Sequence, residues 1–246
     1  MELKNKTAVI TGGTSGIGLA SAEQFRLAGA KVICLARHPS QQAVDIVGSE
    51  GKVVVADVTE RATLDRAFQR VARDFGSVDV LMINAAQVQL SPIAETDEAL
   101  YDDLMAVNCK GAFVTLQAAL PHLAPAASVI VTTSWLNRIG FAGSSVTSMT
   151  KAALRSLVRV AARELAPRKI RVNALCPGAI ETPLWSKLGL PKETLAQAGA
   201  QITAQVPLGR WGSAAEVAQA ALFLASSASS YINGTELQVD GGLEQV

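Results

Sequence analysis

A glycine-rich turn near the N-terminus has the residue types and spacing that bind a phosphate group. The stretch "TAVITGGTSGIGLA" is a short apolar run, a turn with Gly12, Gly16 and Gly18, and the start of a helical pattern. Glycines at such a turn permit a tight bend and a close approach of the backbone to a ligand. A helix that begins there directs free N–H groups and the positive end of its dipole at an anion. The turn therefore predicts a phosphate site.

A second group lies in the stretch "GSSVTSMTKAAL", residues 143–154. Thr147 and Lys151 are four residues apart, which places them on one face of a helix. An ammonium group can stabilise a neighbouring anion and lower the pKa of a neighbouring acid. A threonine hydroxyl hardly ionises, so Thr147 offers the lysine little to activate.

The elements that must position these residues alternate regularly along the chain. Short β-branched runs, most of them continuously apolar, predict strands buried on both faces of a parallel sheet. Amphipathic helical patterns separate them, which predicts one doubly wound α/β sheet and a single domain over residues 1–246. The predicted strands are residues 7–11, 31–36, 52–56, 78–84, 128–133, 170–175 and 236–239.

Composition excludes several classes of function. Hydrophobic residues make up 49% of the chain and the net charge is +1, with no basic run that would track a nucleic acid. Cys34, Cys109 and Cys176 form no CxxC pair and have no histidine neighbours, so no metal site is predicted. No leader or membrane-length apolar segment is present, so we expect a cytoplasmic protein with neither membrane nor nucleic-acid partners.

Several short motifs recur in a fixed order along nearly the full length of the chain. They are "TGGTSGIG" at 11–18, "DVT" at 57–59, "NAA" at 84–86, Asn108, Ser134, Lys151, "PG" at 177–178 and "VDGG" at 239–242. In these motifs the chain resembles the short-chain dehydrogenase/reductase family. The resemblance implies a Rossmann-type parallel sheet of about seven strands, and hydride transfer between a nicotinamide cofactor and a carbonyl or alcohol carbon.

The second predicted strand ends with residues that favour NADP(H) over NAD(H). A NAD site has a carboxylate there, which binds the adenosine ribose. Here Ala36 takes that place and Arg37 follows. A guanidinium group binds a 2′-phosphate well, whereas a carboxylate would repel it. Arg37 therefore predicts NADP(H), with Ser15 and His38 as possible helpers.

The resemblance assigns further residues to the cofactor. Asp57 and Val58 would border the adenine, Asn84-Ala85-Ala86 would run beneath the cofactor, and Ile180 and Thr182 would touch the nicotinamide side. Ala86 departs from the family pattern, which usually has glycine there, so its methyl group either is absorbed by a small shift or weakens binding. The remaining predicted cofactor residues are Gly12, Thr14, Ser15, Gly16, Ile17, Gly18, Lys151, Pro177 and Gly178.

The resemblance also assigns a catalytic group. Asn108 would hold a water of the proton relay, Ser134 would fix the carbonyl oxygen, and Lys151 would hold the nicotinamide ribose. The family's tyrosine should lie four residues before Lys151 and 13 residues after Ser134, and both spacings lead to Thr147. The only tyrosines, Tyr101 and Tyr231, do not have this spacing.

Replacing the tyrosine by Thr147 changes both reach and acidity. The threonine oxygen sits on Cβ and falls short of a carbonyl that a phenol would reach. A phenol has an unperturbed pKa of about 10, and an aliphatic hydroxyl is far less acidic. Loss of the acid should cost on the order of 10² to 10⁴ in rate. A water between Thr147 and Lys151 could recover part of this.

The segment that follows the "PG" motif corresponds to the family's substrate lid, about residues 183–212. Its leucines and a tryptophan predict an apolar inner face, and hence a small hydrophobic carbonyl substrate. Trp135 and Phe141 could add an aromatic wall. The predicted inner-face residues are Leu184, Trp185, Leu188, Leu190 and Leu195. Apolar helices could form the interfaces of a homotetramer, as the corresponding helices do in the family.

Three interpretations of the sequence remain open. The chain is an NADPH-dependent carbonyl reductase weakened at Thr147, or a binding protein that holds NADP(H) after losing the acid. In the third, the site delivers hydride to an activated alkene or imine, which needs no phenol.

Overall fold

A seven-stranded parallel sheet forms the centre of the computed structural model, which describes residues 2–186, 188 and 192–246. The strands are β1 (Thr7–Thr11), β2 (Lys31–Ala36), β3 (Lys52–Val55), β4 (Val78–Ile83), β5 (Leu123–Thr132), β6 (Arg171–Pro177), β7 (Ile180–Glu181), β8 (Gly212–Ser213) and β9 (Glu236–Val239). The sheet order is β3-β2-β1-β4-β5-β6-β9, and β7 pairs with β8. Every pairing is parallel, which confirms the predicted Rossmann-type sheet.

Helices cover both faces of the sheet. They are α1 (Gly16–Leu27), α2 (Gln41–Val47), α3 (Arg61–Phe75), α4 (Glu98–Leu104), α5 (Gly111–Ala119), α6 (Ser145–Glu164), α7 (Pro183–Ser186), α8 (Lys192–Gln205) and α9 (Ala214–Ala225). A π-helical turn, Met105–Lys110, joins α4 to α5. None of the described helices is long and apolar enough to cross a membrane.

Two apolar cores form because strand side chains alternate between the faces. Val9 packs into the core that α3, α5 and α6 cover. Its neighbours Ala8 and Ile10 pack into the other core, against α1 and α9. A third, smaller cluster of aromatic and aliphatic side chains includes Trp135 and Ile202, from the segment after β5 and from α8.

The start of β5 differs from the prediction of a strand over residues 128–133. The strand begins at Leu123, which pairs with Val78, and the register then shifts before Ser128 pairs with Val80. Ala126 has a φ of 61° within the intervening segment. A residue in that conformation leaves the regular ladder, so the chain bulges and resumes pairing further on. Continuous apolar character could not indicate this earlier start.

Candidate active site

A cleft of about 260 Å³ opens at the carboxyl ends of the central strands. Gly12 reaches it from the end of β1, Asn84 from β4, Ser134 from β5 and Gly178 from β6. Ligands of doubly wound sheets bind outside the carboxyl ends of the strands. The topology therefore brings residues far apart in the sequence to one site.

The glycine turn fits closely against the end of β4. Gly12 has a φ of 67°, and a Cβ atom there would lie 2.9 Å from Cα of Ala85. A Cβ atom on Gly18 would overlap the carbonyl oxygen of Gly12. Only glycine allows this contact between the turn and the adjacent backbone.

The N-terminus of α1 faces the cleft without a side-chain cap. Ser15 precedes the helix in an extended conformation and makes no capping hydrogen bond. Ser15, Gly16 and Ile17 line the cleft, while the Thr14 carbonyl accepts a hydrogen bond of 3.4 Å from Ser40 Oγ. Free N–H groups and the helix dipole suit an anion here. This arrangement fits the phosphates of a dinucleotide.

The two basic residues after β2 lie near a carboxylate that follows β3. Arg37 and His38 are both exposed. Partial burial raises the pKa of Asp57, but hydrogen bonds from Thr59 and the charges of Arg37 and His38 outweigh it and lower that pKa. The Asp57 Oδ1 atom accepts from Thr59 N at 2.9 Å and Thr59 Oγ1 at 2.7 Å. Its neighbour Val58 packs against the sheet core.

Asn84 connects the ends of three strands. Its Nδ2 lies 3.4 Å from the carbonyl oxygens of Thr11 and Gly12, and its Oδ1 accepts from Thr132 Oγ1 at 3.3 Å. Ala85 N donates to Thr11 Oγ1 at 3.2 Å. Ala86, the departure from glycine, lies on the cleft wall.

Asn108 is fully buried in the π-helical turn and orders the segment after Ala86. Its Oδ1 accepts from Gln87 N, and its Nδ2 donates to Gln87 O, both at 2.8 Å. Nδ2 also lies 3.4 Å from Thr150 Oγ1, which donates to the Thr147 carbonyl at 2.7 Å. The Asn108 side chain therefore acts on backbone and has no place on the cleft wall.

Ser134 and Lys151 both line the cleft. Ser134 follows β5, and its Oγ accepts from Leu136 N at 3.3 Å. Lys151, on α6, is buried and donates from Nζ to the Thr132 carbonyl at 2.9 Å. Burial lowers the pKa of Lys151 to about 8, with a weaker opposing effect from Cys176. The amine is thus held by backbone at the cleft, with a pKa well below that of a free lysine.

Thr147 lies on the same helix but does not reach the cleft wall. It is only 1% exposed, and its Oγ1 has no hydrogen-bond partner among the described residues. Thr147 is not one of the residues that line the cleft, whereas Lys151 is. A side chain this short leaves its oxygen inside the helix packing.

The segment after β6 closes the cofactor end of the cleft. Gly178 N donates to Val239 O at 3.0 Å, and a Cβ atom on Gly178 would lie 2.6 Å from Cα of Asp240. Thr182 lies opposite the glycine turn, with its Cβ 3.4 Å from the place a Cβ on Gly16 would take. The predicted residues of this segment that line the cleft are Pro177, Gly178, Ile180 and Thr182.

Aromatic and aliphatic side chains form the substrate end of the cleft. Trp135 and Phe141 pack edge to face with ring centroids 5.7 Å apart. Trp185 packs in the same way against Trp211 at 4.8 Å. Leu184, although 39% exposed, and Leu188 also line the cleft.

One predicted wall residue does not lie there, and others were missed. Leu195 is not among the cleft-lining residues: it shares a face of α8 with Ile202, which does line the cleft, but lies two helical turns earlier. Leu190 lies outside the described residues. Sequence reasoning also missed Trp211, which lies 26 residues beyond Trp185 and meets it only through the fold. The other missed wall residues are Val88, Leu90 and Leu136.

The fold and cleft define a Rossmann-type dinucleotide-binding protein. A family model described as enoyl-(acyl carrier protein) reductase matches residues 12–244. The chain belongs to the short-chain dehydrogenase/reductase family of oxidoreductases.

Relatives match the chain over almost its whole length. The oxidoreductase asL5 of Sarocladium schorii is 39% identical over 249 residues, 99% of this chain and 98% of the relative. The 3-oxoacyl-[acyl-carrier-protein] reductase FabG of Thermotoga maritima is 36% identical over 252 residues, 99% of each chain. A short-chain dehydrogenase/reductase structure from Mycobacterium marinum has a TM-score of 0.91 and 33% identity, covering 100% of this chain and 98% of that one. A structure with bound NADP from Agrobacterium tumefaciens has a TM-score of 0.88 and 30% identity, covering 98% and 97%.

Proposed function

We propose that the protein is an NADP(H)-dependent reductase of a carbonyl group, or in reverse a dehydrogenase of the alcohol, on a small hydrophobic substrate. The observation that carries the proposal is that Ser134 and Lys151 line a largely apolar cleft beside the glycine turn. The FabG relative is by name a reductase of a 3-oxoacyl group, which supports carbonyl chemistry.

Each part of the cleft has a role in this reaction. The glycine turn and the start of α1 hold the cofactor phosphates, and Lys151 holds the nicotinamide ribose. Bound NADPH supplies hydride to the carbonyl carbon. Ser134 Oγ donates a hydrogen bond to the substrate oxygen. The tryptophan pair Trp185 and Trp211 excludes water from the apolar end. Residues 183–212 act as the substrate lid.

The preference for NADP(H) rests on the residues after β2. Arg37 and His38 are exposed there, and Ala36 replaces the carboxylate of a NAD site. The nearby Asp57 carboxylate accepts a hydrogen bond from Thr59 N, and the charges of Arg37 and His38 lower its pKa. A 2′-phosphate at this place would bind Arg37 through charge-assisted hydrogen bonds.

Activity in this form is reduced, because Thr147 is buried away from the cleft wall. The same observation favours a second candidate, a protein that binds NADP(H) without turnover. Hydride delivery to an activated alkene or imine is a third outcome, since neither needs a phenol; the family model's description names an enoyl reductase.

We further propose that the protein is a homotetramer in the cytoplasm. Phe113 on α5, and Met149 and Val160 on α6, are large apolar side chains exposed in a single copy of the chain. An assembly would cover such residues. Cys34, Cys109 and Cys176 are free thiols, as expected in a reducing compartment. Light scattering of the purified protein would test the assembly, and a monomer would contradict it.

Restoring the phenol tests the proposed function. We expect Thr147→Tyr to raise NADPH-dependent ketone reduction by on the order of 10² or more. Thr147→Phe is the matched control, because it adds the ring without the acid, and should give no gain. Tight NADPH binding with no turnover in the parent or in Thr147→Tyr would favour the binding protein. Parent turnover of enones or imines that is lost in Thr147→Tyr would favour the third outcome.

A further inference from the structure

The proton sources on the cleft wall are few. Of the described residues that line the cleft, Lys151 alone has an ionisable side chain; the others are apolar, hydroxyl-bearing, amide or glycine. A carbonyl that accepts hydride at carbon must also receive a proton at oxygen near neutral pH. The cleft itself therefore limits which groups can supply that proton.

The polar neighbours of Lys151 on α6 are poor candidates. Thr147 Oγ1 is buried and lies off the cleft wall. Thr150 Oγ1 donates its proton in a hydrogen bond to the Thr147 carbonyl, and the Asn108 side chain is hydrogen-bonded to the backbone of Gln87. Ser134 reaches the cleft, but an aliphatic hydroxyl can only pass on a proton that another group supplies.

Lys151 has protons to give. Its Nζ makes one hydrogen bond among the described residues, to the Thr132 carbonyl at 2.9 Å. An ammonium group carries three N–H donors. Two of them therefore remain for groups in the cleft.

We propose that Lys151 is the direct proton donor to the substrate oxygen in this protein, in place of the missing phenol. In the step, an N–H bond of the ammonium breaks and an O–H bond forms on the carbonyl oxygen, while the carbonyl carbon receives hydride from the reduced nicotinamide. The products are an alcohol, the oxidised cofactor and a neutral amine, which water reprotonates. This inference rests on the proposed function.

The surroundings of Lys151 suit this role. Burial lowers its pKa to about 8, close to working pH, where a general acid is most effective. Cys176 on β6 acts on it only weakly and is a neutral thiol, because burial raises the pKa of Cys176 far above its usual range. Further titratable or charged groups lie along or beside α6. Asp102, Cys109 and Lys110 border its opposite face, Arg155 lies one turn further on, and Glu236 and Arg138 pair behind β5.

Lys151→Arg separates charge from acidity. Arginine keeps the positive charge but does not give up a proton at these pH values. At saturating NADPH, we expect single-turnover ketone reduction by Lys151→Arg to fall by on the order of 10² to 10⁴. Parent turnover should decrease as pH rises through about 8, and this inflection should disappear in the variant.

A double variant and a binding-independent readout sharpen the test. In the Thr147→Tyr background the phenol supplies the proton, so Lys151→Arg should cost much less there than in the parent. The pH dependence of acetylation of Lys151, followed by mass spectrometry in the cofactor-free protein, should give an apparent pKa near 8. Thermal unfolding of Lys151→Arg and Lys151→Met checks that both variants fold.

The outcomes separate this inference from the proposed function. Equal losses from Lys151→Arg in both backgrounds, or a parent pH profile retained in the variant, would overturn the inference. In both of these cases parent turnover would still support the proposed function. A parent that binds NADPH but reduces no ketone while Thr147→Tyr does would overturn the inference and favour the NADP(H)-binding protein. Absence of NADPH-dependent turnover in every form would overturn both.

Discussion

Glu236 on β9 is the centre of a buried charge cluster behind the cleft, and its side chain is 1% exposed. Oε1 accepts from Thr133 Oγ1 at 2.8 Å and from Asn137 Nδ2 at 2.6 Å. Oε2 lies 3.1 Å from a terminal nitrogen of Arg138 and 3.5 Å from Nε of Arg155. Replacing Glu236 by leucine removes the carboxylate and leaves these four donors without it.

The loss of stability in Glu236→Leu depends mainly on Arg155, which stays buried without its carboxylate partner. Arg155 is 15% exposed at its side chain, and its Nε and Nη1 atoms have no hydrogen-bond partner among the described residues. Removing one partner of such a buried pair typically costs about 3–5 kcal/mol. Arg138 is half-exposed and can turn to water, so it adds little. The double variant Glu236→Leu/Arg155→Leu also removes the buried guanidinium that Glu236→Leu leaves unpaired. Its remaining loss of stability should be about 1–3 kcal/mol, from the Thr133 and Asn137 donors that have lost their acceptor.

Urea unfolding of the parent, both single variants and the double variant measures these differences. Glu236→Leu should lower the free energy of unfolding by about 3–5 kcal/mol. In a separate thermal unfolding experiment this corresponds to a fall in melting temperature of roughly 6–20 °C. Arg155→Leu should cost less, because the carboxylate of Glu236 retains three other donors. The double variant should be more stable than Glu236→Leu alone. If the two single losses simply add in the double variant, the stranded charge is not the cause and the reasoning fails.

Three further predictions concern the cofactor end and the C-terminus. Gly18→Ala should overlap the Gly12 carbonyl, cost about 1–3 kcal/mol of stability and weaken NADPH binding; Gly140→Ala, with open space around its Cβ, is the control, and equal effects would contradict this. Arg37→Glu should shift kcat/KM from NADPH toward NADH by about 10- to 100-fold, and an unchanged ratio would remove Arg37 from the site. Burial raises the pKa of Glu244, so its carboxylate costs stability once pH rises above the usual glutamate range; Glu244→Gln should therefore gain stability over the parent from pH 4 to pH 8 in urea titrations, and the opposite trend would refute the cause.

The sheet was predictable because its signals are local. Apolar runs marked all seven strands, and β1, β2 and β9 have the predicted bounds. The early start of β5 and the π-helical turn at Asn108 were not predictable in this way. Both depend on contacts with distant strands and helices, which local secondary-structure propensity does not reveal.

In the candidate site, too, some features could be predicted from the sequence and others arise only from the tertiary structure. The resemblance to the family, applied through its motif spacings, led to Ser134, Lys151 and Thr147; the four-residue spacing of Thr147 and Lys151 places both on one helix face. The hydrogen bond of Lys151 to Thr132, and the packing of Trp211 on Trp185, arise only when separate elements meet. Reach is also a tertiary property, since two side chains on one helix face differ in whether they touch the cleft.

The geometry of Lys151 does not depend on a phenol at position 147. Its Nζ is held by a backbone carbonyl of β5, and the Thr147 carbonyl is held by Thr150 Oγ1 within the helix. Both contacts use atoms that substitution of the Thr147 side chain leaves in place. A tyrosine introduced there would therefore meet a lysine already positioned beside the cleft, and activity should rise without second-site changes. A need for compensating substitutions would mean that the helix itself has moved, and with it the basis for assigning Lys151 a proton-transfer role.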